Sequence, residues 1–205
     1  WVIEDRFAGP RPRWHAVGAE LVSDVRPYET AKLRMLNGAH SFLAYVGLAH
    51  GHTYVHEAIT DPELRPLVEA LLREEAAPTI AAGAGQDLAA YATALIKRFA
   101  NPALNHRLIQ IAMDGSQKLP QRWLETLAAN QALGRECPVI LQGIAAWIRH
   151  LRGANGPVDD PRAVELGTAA ASPDPVETLF CPGGLMGATW HPTPADSKVI
   201  ASLLS

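Results

Sequence analysis

The chain has 205 residues with 19% charged and a net charge near −3, so it is long enough for one sizeable domain burying about 70% of its surface. That composition excludes a disordered tail or a coiled coil, and the slightly acidic balance argues against an electrostatic nucleic-acid or membrane binder. No apolar run reaches the roughly 18 residues a membrane span needs. The two cysteines, Cys137 and Cys181, form no CxxC pair. This reads as a reduced, cytoplasmic protein, with one disulfide left open.

The chain starts abruptly at Trp1 and reads as a C-terminal piece of something longer. Residues 1–26 are an extended, Pro-broken lead-in, strand-like at "WVIEDRF". Pro27 opens a long helix at a position where a missing N–H costs nothing, and Gly51 can stop it after His50. "DPELRPLVEALLREEA" is a second helix, capped by Asp61 and ended before Pro78. "QDLAAYATALIKRFA" places Leu88, Tyr91, Leu95 and Phe99 at helical spacing. "NPALNHRLIQIAMD" reads as a helix closed by Gly115. "LPQRWLETLAANQALG" and "CPVILQGIAAWIRHLRG" are two more, each with Pro near its start and Gly at its end. The loop "ANGPVDD" leads into "PRAVELGTAAA", "SPDPVETLFCPGGLMGATWHPT" reads as irregular, and "PADSKVIASLLS" is a final helix. Alternating β-branched runs are almost absent. The fold class is all-α, a helical bundle.

The long helix poses the functional question, because "YETAKLRMLNGAHSFLAYVG" embeds Lys32, Asn37 and His40 in an apolar run. At about 100° per residue, with Glu29 at 0°, Lys32 falls at about −60°, Asn37 at about 80° and His40 at about 20°. Leucines share that sector and Phe42, Tyr45 and Leu48 lie opposite, so the helix is expected to be buried nearly all round. Taken singly, each polar residue has an ordinary reading: Lys32 snorkels, Asn37 bonds a loop, His40 is a satisfied core histidine. Together on one face, they suit proton abstraction from an alcohol. A lysine base must fall from about 10.4 to near 7, about 4.6 kcal/mol. A helix N-terminus supplies at most about 1 kcal/mol. Burial is therefore expected to be the main cause, with Glu29 one turn back as a proton relay to solvent.

A second constellation is "DGSQKLPQR". Gly115 would end one helix and Ser116 cap the next, leaving backbone N–H groups with Lys118 and Arg122 at a corner suited to an anion or a row of hydroxyls. Asp114 could cap or accept sugar hydroxyls. An ordinary helix–turn–helix corner with a solvated lysine has the same spacing. Three histidines in "HGHTYVH" (His50, His52, His56) suggest a metal, but no carboxylate or cysteine completes the set in that run, and none is expected. "GAGQD" lacks the preceding strand that a phosphate loop requires, and Cys137 beside Pro138 reads as a helix-start packing residue.

"KLRMLNGAHS" resembles the signature helix of the mannitol dehydrogenase family, the long-chain polyol-specific dehydrogenases that include fructuronate and tagaturonate reductases. "WVIEDRFAGPRPRW" resembles the family's lead into its C-terminal domain, and "RFANPALNHRLIQIAMDGSQKLPQR" its second block. The resemblance implies a C-terminal helical domain of the 6-phosphogluconate dehydrogenase type, belonging to a two-domain, metal-independent enzyme using NAD or NADP. Such an enzyme interconverts a secondary alcohol of a linear polyol or aldonate with a ketose or ketouronate. On this resemblance Lys32 falls on the general base, Asn37 on an oxyanion-stabilising amide, His40 on the residue orienting the substrate oxygen, and Lys118 on a substrate-contacting lysine.

Two departures matter. The family's N-terminal Rossmann domain, with a second oxyanion amide, is missing from these 205 residues, so this piece alone is expected to be inactive. Some mannitol-acting members carry Arg eight residues before the lysine of "DGSQK"; Gln110 stands there, as in the fructuronate reductase branch, and tilts the expectation toward a hexuronate-type substrate. Lys118 or Arg122 would then hold the carboxylate. The expected partners are a small polyol or sugar acid and the Rossmann domain, with no nucleic acid and no membrane. The alternative is a stand-alone helical module that binds a sugar acid or serves assembly without catalysis.

Overall fold

The structure is a computed structural model that describes all 205 residues. The lead-in is partly strand: β1 (Val2–Glu4) and β2 (Glu20–Val22) form a short parallel ribbon, Val2 opposite Glu20. The rest is helical, as the Pro and Gly punctuation predicts.

Helix α1 runs without a break through Arg26–Ala31, Lys32–Asn37 and Gly38–Ala49, the middle segment being π-helical. Its second half is the axis of the bundle, since every residue from Ser41 to Gly47 is buried. Helix α2 (Val55–Thr60) follows, and Glu57 accepts the Thr53 and Tyr54 N–H groups and starts it. Helix α3 (Leu64–Ala70) continues through a π turn, Leu71–Ala76. Asp61 caps its approach by accepting the Glu63 N–H at 2.8 Å. Helix α4 (Leu88–Phe99) buries Leu95 and Phe99, as its spacing predicts.

"NPALNHRLIQIAMD" is mostly not helical. Only Leu108–Ile111 forms a turn, α5, because His106 and Arg107 pair their backbone with Val55 and Tyr54 instead. Helix α6 runs through Gly115–Leu119, the π turn Pro120–Leu124, and Glu125–Ala132. Pro120 lacks an N–H, and an interrupted i→i−4 ladder relaxes into such a turn. Helix α7 (Pro138–Leu151) packs along α1, followed by α8 (Ala163–Ala170). Within the segment read as irregular, Asp174 caps a further helix, α9 (Pro175–Phe180), accepting the Glu177 N–H at 3.0 Å. Helix α10 (Pro194–Leu204) closes the chain against α7.

The core is continuous around α1 and α7: Met35, Phe42, Leu43, Tyr45, Ile144, Trp147 and Trp123 are all at or below 1% exposure. Each large apolar side chain buried this way contributes about 1.5–3 kcal/mol. A Cβ on Gly143 would sit 2.9 Å from the Trp123 ring, so glycine there sets how closely α7 meets α6. A buried carboxylate, Glu75, accepts the Val139 and Ile140 N–H groups at 2.7 and 2.9 Å and caps α7 from α3. Both cysteines are free, and Cys137 packs at the α7 start as expected. No helix is long and apolar enough to cross a membrane.

Candidate functional site

In a regular helix Lys32 and Asn37 would point about 140° apart. In the structure they bracket the π-helical segment of α1, where the Gly38 N–H reaches back five residues to the Leu33 carbonyl. With i→i+5 bonding each residue turns the chain by only roughly 80°, so five residues bring Asn37 back to within about 50° of Lys32. The K-x4-N spacing, awkward for an α-helix, is a natural spacing for a π turn. Asn37 and His40 then lie one ordinary α turn apart, on the same side.

The face they share is open, which corrects the expectation that the helix is buried all round. Lys32 and Glu29 are exposed, while Asn37 and His40 are half-buried; Ala31, Met35, Leu36 and Ala39 take the core side. The first half of α1 packs on the π turns of α6 and α3, and its other face is left open, whereas α7 packs along the second half. Burial among leucines therefore does not act on Lys32 here. The helix is held from behind by the Trp123 indole, which donates to the Gly38 carbonyl at 3.1 Å.

His40 packs on Phe99 with ring centroids 4.7 Å apart and planes tilted by 46°, and meets His106 edge-on at 5.4 Å. It lines an open cleft of about 240 Å³ with Val55, Arg98, Phe99, Asn105 and His106. Burial pushes the imidazole down to about 4, with the like charges of His106, Arg122 and Arg98 acting in the same direction. At neutral pH His40 is thus uncharged, offering one ring nitrogen as donor and one as acceptor. Arg122 reaches this region rather than the corner: its guanidinium donates to Ser41 Oγ at 2.9 Å, and burial lowers its pKa.

The corner differs in detail from the sequence reading. Gly115 begins α6 rather than ending a helix, and Asp114 precedes it in the left-handed conformation at φ 55°. Ser116 does not cap; its hydroxyl donates to Asp160 at 2.7 Å, because Asp160 also takes the Ser116 N–H at 2.8 Å. Asp114 makes no side-chain cap and instead lies 3.6 Å from the Lys118 ammonium. Lys118 Nζ donates to the Met113 carbonyl at 2.6 Å, which fixes the ammonium and leaves donor capacity for a ligand oxygen. Gln110, on α5 just before the corner, is exposed. Tyr45 of α1 donates to the Ala112 carbonyl at 2.9 Å and ties the corner to the central helix.

Residues 24–174 match the family described as mannitol dehydrogenase C-terminal domain. The chain belongs to that family. A D-mannonate oxidoreductase of Escherichia coli K12 is 50% identical over 155 residues, covering 76% of this chain and 32% of that protein. A Saccharomyces cerevisiae mannitol dehydrogenase is 36% identical over 195 residues, covering 89% of this chain and 39% of its own length. Among solved structures, Pseudomonas fluorescens mannitol 2-dehydrogenase in a ternary complex with NAD and D-mannitol superposes with a TM-score of 0.87 at 32% identity, covering 100% of this chain and 43% of that one. The chain thus spans between 32% and 39% of the length of these curated relatives.

Within the mannitol dehydrogenase C-terminal domain, the chain carries a single two-stranded sheet. Its two strands form a parallel ribbon with no Gly-rich turn leading into a helix, and "GAGQD" is a loop closed by Gln86 accepting the Gly83 N–H. The histidine run meets a carboxylate from outside it: Asp61 lies 2.8 Å from His52 Nε2 and 3.7 Å from His50 Nδ1. No group of three metal-ligating residues results. Sequence reasoning assigned no role to Arg98, Asn105 and His106, although all three stand in the "RFANPALNH" part of the second family block.

Proposed function

We propose that this domain binds the substrate of, and supplies the acid–base groups to, an NAD- or NADP-dependent dehydrogenase acting on a linear polyol or aldonate. Lys32 takes the hydroxyl proton, Asn37 and His40 hold the oxygen that becomes the carbonyl, and Glu29 passes the proton to solvent. Lys118, fixed by Met113 and Asp114, holds a distal hydroxyl, with Gln110 and Arg122 at the edges of the same substrate path. A nicotinamide cofactor held by a separate dinucleotide-binding domain accepts the hydride when bound.

The observation that carries this reading is the π turn: it aligns a lysine and an amide on the open face of α1, beside a neutral imidazole. The open face also means that the desolvation a lysine base needs comes from what covers it, substrate and cofactor domain, rather than from this chain's leucines. Gln110 and the E. coli D-mannonate oxidoreductase relative favour a hexonate over a hexitol.

The test is turnover of D-mannonate and D-mannitol with NAD or NADP by the full-length protein and its Lys32→Ala variant. Abolished oxidation, with rescue by added small amines, supports Lys32 as the base; wild-type-like turnover removes it. An unchanged pH–rate profile in Glu29→Gln ends the relay role. A stand-alone binding module would bind the sugar acid without any dinucleotide and turn over neither substrate.

A further inference from the structure

We infer that the cleft beyond His40, formed by Arg98, Asn105 and His106, seats the carboxylate of an acid substrate and sets the preference for sugar acids over neutral polyols. The inference rests on the dehydrogenase reading above and moves the carboxylate away from the Lys118 corner.

Four observations lead there. First, the charge of Lys118 is already faced by the Asp114 carboxylate and Arg122 donates to Ser41, so the corner suits a hydroxyl better than an anion. Second, Arg98, Asn105 and His106 line the cleft with no Asp or Glu among its walls, and their side chains take no part in the hydrogen bonds and ion pairs that tie the surrounding elements together. An Arg on the last turn of α4 also complements that helix's C-terminal dipole, but Lys97 already does so from the next position and lines a different groove with Arg65 and Arg73. Third, Val55 and Phe99 wall the cleft beside Arg98, Asn105 and His106, which are exposed and so open to an incoming carboxylate. A guanidinium there can meet a carboxylate through two parallel N–H bonds while the amide and imidazole satisfy its remaining lone pairs.

Fourth, the distances along α1 fit. A helix rises about 1.5 Å per residue, so Asn37 and His40 are separated by only about 4.5 Å along the axis and can share one oxygen. A six-carbon chain whose reacting oxygen is held by Asn37 and His40 carries its far end up to four carbon–carbon bonds farther, into the cleft that His40 itself lines. His40 then lies between the reaction centre and the charged end, in contact with both.

The measurement is kcat and KM for D-mannonate and for D-mannitol in the full-length protein and in Arg98→Gln and Arg98→Lys. Losing a charge-assisted hydrogen-bonded contact predicts that the ratio of kcat/KM for the acid to that for the polyol falls about 10- to 100-fold in Arg98→Gln, through KM, and recovers partly in Arg98→Lys. Equal loss on both substrates, loss confined to kcat, or a rise in KM for the dinucleotide instead overturns the assignment; the last would make the bound anion a cofactor phosphate. Should Arg98→Gln fail to fold, the wild-type ring signals of His106 decide: they must shift with D-mannonate and not with D-mannitol at the same concentration. Wild-type turnover of the acid with an unmoved ratio sinks only the cleft. Turnover of neither substrate sinks the dehydrogenase reading itself.

Discussion

Replacing Glu75 by Gln tests the balance of forces that starts α7. The Glu75 side chain is 3% exposed and accepts two N–H groups of the first turn of α7. Burial disfavours its ionised form and the two donors favour it; burial prevails, with Glu74 adding repulsion, and moves the carboxyl from 4.5 to about 7. That displacement corresponds to about 3 kcal/mol. Because the folded-state value is raised, the stabilisation is complete below pH 4.5 and is lost as pH rises toward 7. Glu75→Gln keeps an acceptor for one donor and cannot ionise. Wild type should therefore lose about 3 kcal/mol relative to the variant between pH 4.5 and 8, or about 6 to 12 °C in Tm for a chain of this size. Urea or thermal unfolding of both proteins at half-unit pH steps reads this directly, and groups that titrate alike in both cancel in the difference. Parallel curves would refute the reasoning. A difference of opposite sign would mean that the α7 donors and dipole outweigh burial.

Two further outcomes are expected. On the proposed dehydrogenase reading, Asn37→Ala in the full-length protein should reduce turnover by about 10² to 10³, as for an oxyanion donor, and a loss below threefold would remove Asn37 from the proposed mechanism. Gly115→Ala would place a Cβ 2.6 Å from Trp147 Nε1 and 2.7 Å from the Tyr45 hydroxyl, so urea unfolding should show a loss of about 1–3 kcal/mol; a variant as stable as wild type would contradict the packing described for the α1–α6 corner.

What was legible in the sequence was punctuation and face. Pro27, Pro138 and Pro194 mark helix starts, and the Leu95–Phe99 spacing marks the buried side of α4. What was not legible arose where backbone groups found distant partners. His106 gives its carbonyl to Val55, so a run with helical composition stays irregular. Asp160, 44 residues from Ser116, takes the hydroxyl that local spacing would assign to a cap. The candidate residues Lys32, Asn37 and His40 were named from the sequence, yet their burial was misjudged. Periodicity reports which positions are apolar, and not whether a neighbour in the same chain covers them.

The two halves of α1 explain how an exposed lysine can still be held in place. From Ser41 to Gly47 the helix is enclosed on all sides, and the Tyr45–Ala112 and Trp123–Gly38 hydrogen bonds pin it to α5 and α6. A site group needs support to within about half an ångström, and a buried seven-residue stretch supplies it to the turns that precede it. The π turn then does what sequence spacing alone could not, rotating Lys32 onto the side of Asn37 without breaking the helix. Inserting one residue between them would swing Lys32 away by about 100° while leaving the buried half unchanged. Such a variant should keep its unfolding transition and lose turnover in the full-length protein, and retained turnover would show that the π turn is incidental to the alignment.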